Sequence, residues 1–77
     1  MEPIPVPSLI HYELLLQLLE KKTILAVGYK TQQHQQVQQL IITLRKALAL
    51  QKQFEESCKQ AHLPIEPYWS LNETQKY

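Results

Sequence analysis

The sequence predicts an all-α fold: an antiparallel two-helix hairpin, with apolar irregular N- and C-terminal segments packed at one end of it. Three observations carry that expectation. All five prolines lie at the extremities, Pro3, Pro5 and Pro7 on one side and Pro64 and Pro67 on the other. The single glycine, Gly28, stands between them. Apolar residues recur in steps of three and four from Val37 to Ala61, which is the helical period.

Residues 1–7 read as an extended, proline-rich lead, because Pro7 disfavours helix in the residue before it. Ser8 is placed to accept a backbone N–H as an N-cap. Leu and Gln dominate the residues after Ser8, and both are good helix formers; the first helix is expected over 9–27. Gly28 suits the residue just past a helix, where a left-handed conformation costs glycine nothing. Thr31 then caps a second helix over 32–61, with no breaker before Pro64. That helix opens on a glutamine-rich run, Gln32, Gln33, Gln35, Gln36, Gln38 and Gln39. The glutamines mostly fall on faces other than the apolar stripe, so they read as its solvated side and not as a disordered tract.

Val37, Leu40, Leu44, Ala47, Gln51, Phe54, Cys58 and Ala61 alternate steps of three and four, as a heptad seam does. A short turn at Gly28 makes the helices antiparallel neighbours, and Leu15, Leu18, Leu40, Leu44 and Leu48 are expected between them. At 1.5 Å per residue the first helix spans about 30 Å and the second about 45 Å, so the stretch from Gln51 to Ala61 overhangs. Ile4, Val6, Phe54, Ile65 and Trp69 are expected to gather there, with Trp69 near Phe54 and Cys58. The tail, 63–77, is irregular; Ser70 and Glu73 have the spacing of a capping box that starts a last helical turn. No strand is expected, and the whole chain, 1–77, reads as a single domain.

Seventy-seven residues bury a small core and leave a marginal fold that leans on a disulfide, a metal or a partner. An internal disulfide is excluded because Cys58 is alone, and one unpaired cysteine suits a reducing compartment. The opening "MEPIPVPS" has neither the basic region nor the apolar core of a signal peptide. The most apolar stretch, "LIHYELLLQLLEKKTILAV", is interrupted by charges and too broken to span a membrane. A cytoplasmic protein is the expectation.

Eight Lys/Arg against seven Asp/Glu argue against nucleic acid, whose binding rests on phosphate neutralisation. One glycine cannot build a phosphate loop, and nothing resembles a catalytic triad or a CxxC. No cofactor is implied. Cys58 and His62 share a helix face at i, i+4, and His11 belongs near them in a hairpin. A structural zinc site wants four ligands, however, and Cys58 continues the apolar seam, where a small thiol packs. No metal site is assigned. Asn72-Glu-Thr74 matches a glycosylation pattern by chance.

The first helix has more apolar surface than one neighbour covers. Leu9, Tyr12, Leu14, Leu15, Leu16, Leu18, Leu19 and Val27 spread over about 220°, where one packed face needs somewhat more than 100°. The excess meets either a partner or the terminal segments folded back over it. Leu9, Tyr12, Leu16, Leu19, Ile42, Tyr68 and Trp69 are the candidate interface residues.

The stretches "EPIPVPSLIHYELLLQLLE" and "VQQLIITLRKALALQKQFEESC" resemble a family of short cyanobacterial proteins classed as a domain of unknown function, over residues 2–60. The resemblance implies a cyanobacterial cytoplasmic protein with no established activity and no functional residues to carry over. From the residues themselves, the expectation is a non-enzymatic module that dimerises or docks on another protein through the leucine-rich face of its first helix. A small nucleic-acid-associated regulator is the alternative.

Overall fold

The structure, a computed structural model, describes residues 2–70. Its elements are strand β1 (Ile4–Pro7), helix α1 (Leu9–Leu18), a π-helical turn (Leu19–Thr23), the short helix α2 (Ile24–Ala26), the long helix α3 (Gln32–Gln60) and strand β2 (Ile65–Tyr68). The all-α expectation is therefore overturned. The two proline-rich ends are a parallel strand pair, in the register Ile4↔Ile65, Pro5↔Glu66, Val6↔Pro67 and Pro7↔Tyr68.

Alternation explains how so proline-rich a segment forms a strand. The backbone N–H of Ile4 donates to the Pro64 carbonyl at 2.8 Å, and that of Ser8 to the Tyr68 carbonyl at 3.0 Å. Even-numbered residues of β1 thus hold the pairing edge. Pro3, Pro5 and Pro7 fall on the other edge, where their missing N–H groups are not called on. In β2 the Tyr68 carbonyl faces β1, so its neighbour Pro67 again points away. Parallel strands need a long crossover, and the helices supply it.

The helical part is not a clear antiparallel hairpin either. Its first helix runs over residues 9–26, close to the expected 9–27, but Leu19–Thr23 within it form a π turn, in which Thr23 Oγ1 donates to the Leu18 carbonyl five residues back, at 3.4 Å. A π turn accommodates one extra residue, so the residues after it are rotated by about 100° relative to an unbroken α-helix. Ile24 and Val27 come out half-buried, and Leu25 is left facing solvent. At the start of α1, Ser8 is extended as an N-cap should be, but its side chain caps nothing. Its backbone joins β2 instead.

The turn after α2 differs from expectation in one further respect. Gly28 is not left-handed; Lys30 takes that conformation, with φ 63°. Glycine is needed at 28 for space, since a Cβ there would sit 3.0 Å from Thr31 Cγ2. Thr31 is itself held at both ends of its hydroxyl: it donates to the Gly28 carbonyl at 2.6 Å and accepts from the His34 N–H at 3.1 Å, the N-cap expected for α3.

Helix α3 ends in a Schellman motif. His62, left-handed at φ 60°, donates its N–H to the Lys59 carbonyl at 3.1 Å, and Leu63 donates to that of Cys58 at 2.8 Å. The reversal delivers Pro64 to Ile4. Of α3, the side turned inward runs through His34, Val37, Ile41, Leu44, Leu48, Gln51, Glu55 and Cys58, all half-buried or buried. The expected seam shares Val37, Leu44, Gln51 and Cys58 with it, but the intervening positions differ. Gln51 and Glu55 lie inside because Gln51 Nε2 donates to the Pro7 carbonyl at 2.7 Å and to Glu55 Oε2 at 2.8 Å. Leu40 and Phe54 are consequently outside.

Among the described residues the buried core is Val6, Leu16 and Cys58, at 5%, 7% and 4% exposure. Leu44 and Leu48 are half-buried, whereas Leu15, Leu18 and Leu40 are exposed and not between the helices as expected. Leu16→Ala is expected to destabilise the chain by about 2–5 kcal/mol, the usual cost of emptying a buried leucine site. Gln51→Ala, which removes its hydrogen bonds to the Pro7 carbonyl and to Glu55, should cost about 1–2 kcal/mol. Urea unfolding followed by circular dichroism checks both; a Leu16→Ala variant as stable as the parent would contradict the assigned core.

Candidate interaction face

The arrangement of the exposed apolar residues is set by helix periodicity and one ion pair. Arg45 Nη2 of α3 meets Glu20 Oε2 of the π turn. That contact marks one side of the seam between the helices. At about 100° per residue, Arg45 lies some 80° to one side of α3's inner stripe, and Leu40, Ala47, Leu50 and Phe54 lie about 60–140° to the other. On α1, taking Tyr12 and Leu16 as the inward direction, Glu20 falls on one side, and His11, Leu15 and Leu18 lie about 80–140° to the opposite one. Because Glu20 and Arg45 share a side, the remaining residues share the other.

The molecule is thus two-sided. One side carries the Glu20–Arg45 pair together with Glu13 and Gln17. The other carries Leu15, Leu18, Leu40, Leu50 and Phe54, all exposed. On α3 this outer stripe runs Leu40, Thr43, Ala47, Leu50, Phe54 and Ser57, in steps of three and four with no charge in it. Its threonine is already satisfied, since Thr43 Oγ1 donates to the Gln39 carbonyl at 2.8 Å; covering it strands no polar group.

Trp69 extends the same side. It was expected near Phe54 and Cys58; the ring contact found is with His11 of α1. It stands edge-on to His11, ring centroids 5.4 Å apart and planes at 83°, in a geometry aromatic pairs favour. His11, Pro5, Val6, Pro7 and Tyr68 line a shallow niche with it. Trp69 is nonetheless 59% exposed.

The candidate residues read from sequence separate into two groups. Leu16 is core, and Leu9, Tyr12 and Leu19 are half-buried toward the seam. Ile42 and Trp69 are exposed and Tyr68 is half-buried, with Ile42 at the back of α3, off the apolar side. Leu15, Leu18, Leu40 and Phe54 were expected inside and lie on the surface, as Leu50 does. For those on α3 the signal available was the uncharged stripe from Leu40 to Ser57. Cys58 is free and buried while His62 is exposed, and among the described residues no three metal-ligating side chains come together. Leu71, Asn72 and Glu73, with the last helical turn expected there, lie outside the described residues.

Fold and face together define a small helical protein closed by a strand pair at its ends and left apolar along one side. The chain belongs to a family of unknown function, DUF5340, whose model matches residues 1–70, which bears out the resemblance read from the sequence. It is also 51% identical, over 72 residues, to a protein of the cyanobacterium Anabaena cylindrica described as an uncharacterized 9.3 kDa protein in the soluble hydrogenase 5′ region; the match covers 94% of this chain and 88% of that one. No solved structure matches. Among the described residues no helix is long and apolar enough to cross a membrane.

The position of Trp69 yields a direct optical prediction. Its emission should be that of a partly hydrated indole and should be quenched by iodide, more so after His11→Ala removes the ring beside it. A blue-shifted emission insensitive to iodide in the dilute chain would contradict the placement of Trp69.

Proposed function

We propose that this chain is a small, non-enzymatic protein–protein interaction or assembly module acting in the cytoplasm. The observation that carries the reading is the imbalance of its apolar residues: among those described, three are buried and ten large ones are exposed. Scattered exposed leucines mean little. Here Leu15, Leu18, Leu40, Leu50 and Phe54 share one side, and a contiguous apolar patch marks a contact surface. Catalysis would need an acid, a base and a shielded hollow, whereas on this side His11 borders an open niche. The buried free thiol of Cys58 suits the reducing cytoplasm.

The test is size-exclusion chromatography with light scattering on the full chain at micromolar concentration, paired with chemical crosslinking in native lysate. The expected result is a defined assembly, either of this chain with itself or in stoichiometric complex with another protein. A strict monomer that crosslinks to nothing overturns the reading. A salt-dependent mobility shift with mixed DNA and RNA would favour the nucleic-acid alternative instead.

A further inference from the structure

We infer that the π turn is a register switch: Leu19–Thr23 closes reversibly into ordinary α-helix, and α2, with the turn after it, then rolls by about 100° against α3. Nothing in the local sequence imposes the wide turn. Residues 19–23 read Leu-Glu-Lys-Lys-Thr, without proline or glycine, and Leu, Glu and Lys are good α-helix formers. The turn is closed by the Ile24 N–H, which donates to the Leu19 carbonyl, and by the Thr23 hydroxyl, which donates to the Leu18 carbonyl at 3.4 Å. The second bond is long for a hydroxyl donor, whose bonds run about 2.5–3.0 Å. Single π turns inside α-helices are frequent at functional sites.

The two registers bury comparable side chains. Measured from Leu16, an unbroken α-helix would place Thr23 and Val27 within about 20° of the inward direction and Ile24 about 80° to one side. The π turn takes about 100° from the residues after it, so Ile24 comes to within about 20° and Val27 lies about 80° to the other side. One register therefore centres an isoleucine and the other a valine, a difference of one methylene. Thr23, Ile24 and Val27 are all half-buried in the structure, each already at the seam. The threonine keeps an acceptor in both registers. In the α register its hydroxyl reaches the Leu19 carbonyl four residues back, as Thr43 reaches that of Gln39 at 2.8 Å in α3.

The moving part is α2, because α1 is fastened at both ends. Ser8 donates its N–H to the Tyr68 carbonyl, and Glu20 pairs with Arg45 of α3. Helix α2 is three residues long and has no side-chain cap, and its Leu25 is 78% exposed. Closing the π turn carries Leu25 from about 80° to about 180° from the seam. That reshapes the open hollow which Ile24, Leu25, Val27, Tyr29 and His34 line beside the turn. The connection between the long helices thus has two shapes.

Nuclear magnetic relaxation dispersion on the full chain tests the switch, since it reads exchange on the microsecond-to-millisecond scale. Exchange is expected over about residues 19–30 and absent from the middle of α3. Deleting Lys22, which is exposed, removes the extra residue while keeping Ile24 in its inward phase. That variant should retain the parent's circular dichroism and lose the exchange. Thr23→Val removes the hydroxyl that closes the wide turn and makes position 23 apolar, so the population of the α register should rise several-fold. A parent without exchange at 19–30, exchange that survives the deletion, or populations unmoved by Thr23→Val each overturn the proposal.

Discussion

Ile4 donates to the Pro64 carbonyl and Ser8 to that of Tyr68, and by those bonds the two ends of the chain become one parallel strand pair. Much of the architecture depends on how that pair is built. Prolines at every second residue leave β1 with donors on one edge and only acceptors on the other. That acceptor edge is exposed to solvent, and Gln51, on the inward Gln51–Glu55 side of α3, reaches it at Pro7. A helix turned that way presents Leu40, Leu50 and Phe54 outward.

The same spacing limits what the sheet does. An exposed strand edge is a template for further pairing. Pro3, Pro5 and Pro7 remove every donor from the outer edge of β1, and Pro67 interrupts that of β2. The strand pair closes the ends of the chain without inviting another strand. Association, where it occurs, is left to the helices.

Part of this was legible in the residues. Thr31 as a cap, the helical path from Gln32 to Gln60 and the stop before Pro64 all come from local propensity, which α3 obeys. The strands were hidden because proline density reads as irregular structure until its period is noticed, and because their pairing joins residues some sixty positions apart, which no local pattern encodes. The π turn was hidden for a related reason. Leu19–Thr23 has no breaker, and the widening shows only in which residues come out half-buried after it. The apolar excess of α1 was legible in extent, but its direction was not. The 220° arc contains both the core-facing Tyr12 and Leu16 and the exposed Leu15 and Leu18, and only the Glu20–Arg45 contact separates them. On α3 the expected seam and the observed inner side share Val37, Leu44, Gln51 and Cys58, and differ in taking Leu40 and Phe54 or Ile41 and Glu55 between them.

The energetic consequence concerns the relation between folding and association. Val6, Leu16 and Cys58 are the buried apolar residues described, and fully burying a valine or leucine side chain contributes about 1.5–3 kcal/mol. Ordering the backbone of a single residue costs about 1–2 kcal/mol. Half-buried contacts along the seam and the exposed Glu20–Arg45 pair, worth about 1 kcal/mol or less, add to the core, yet the ratio stays poor for a slab this thin. On the interaction-module reading, Leu15, Leu18, Leu40, Leu50 and Phe54 would leave water as a partner docks. Folding and association would then be linked by mass action, with stability set partly by concentration. The open side would be the missing half of a core that one chain, with its Gln51 turned inward to serve Pro7, does not complete.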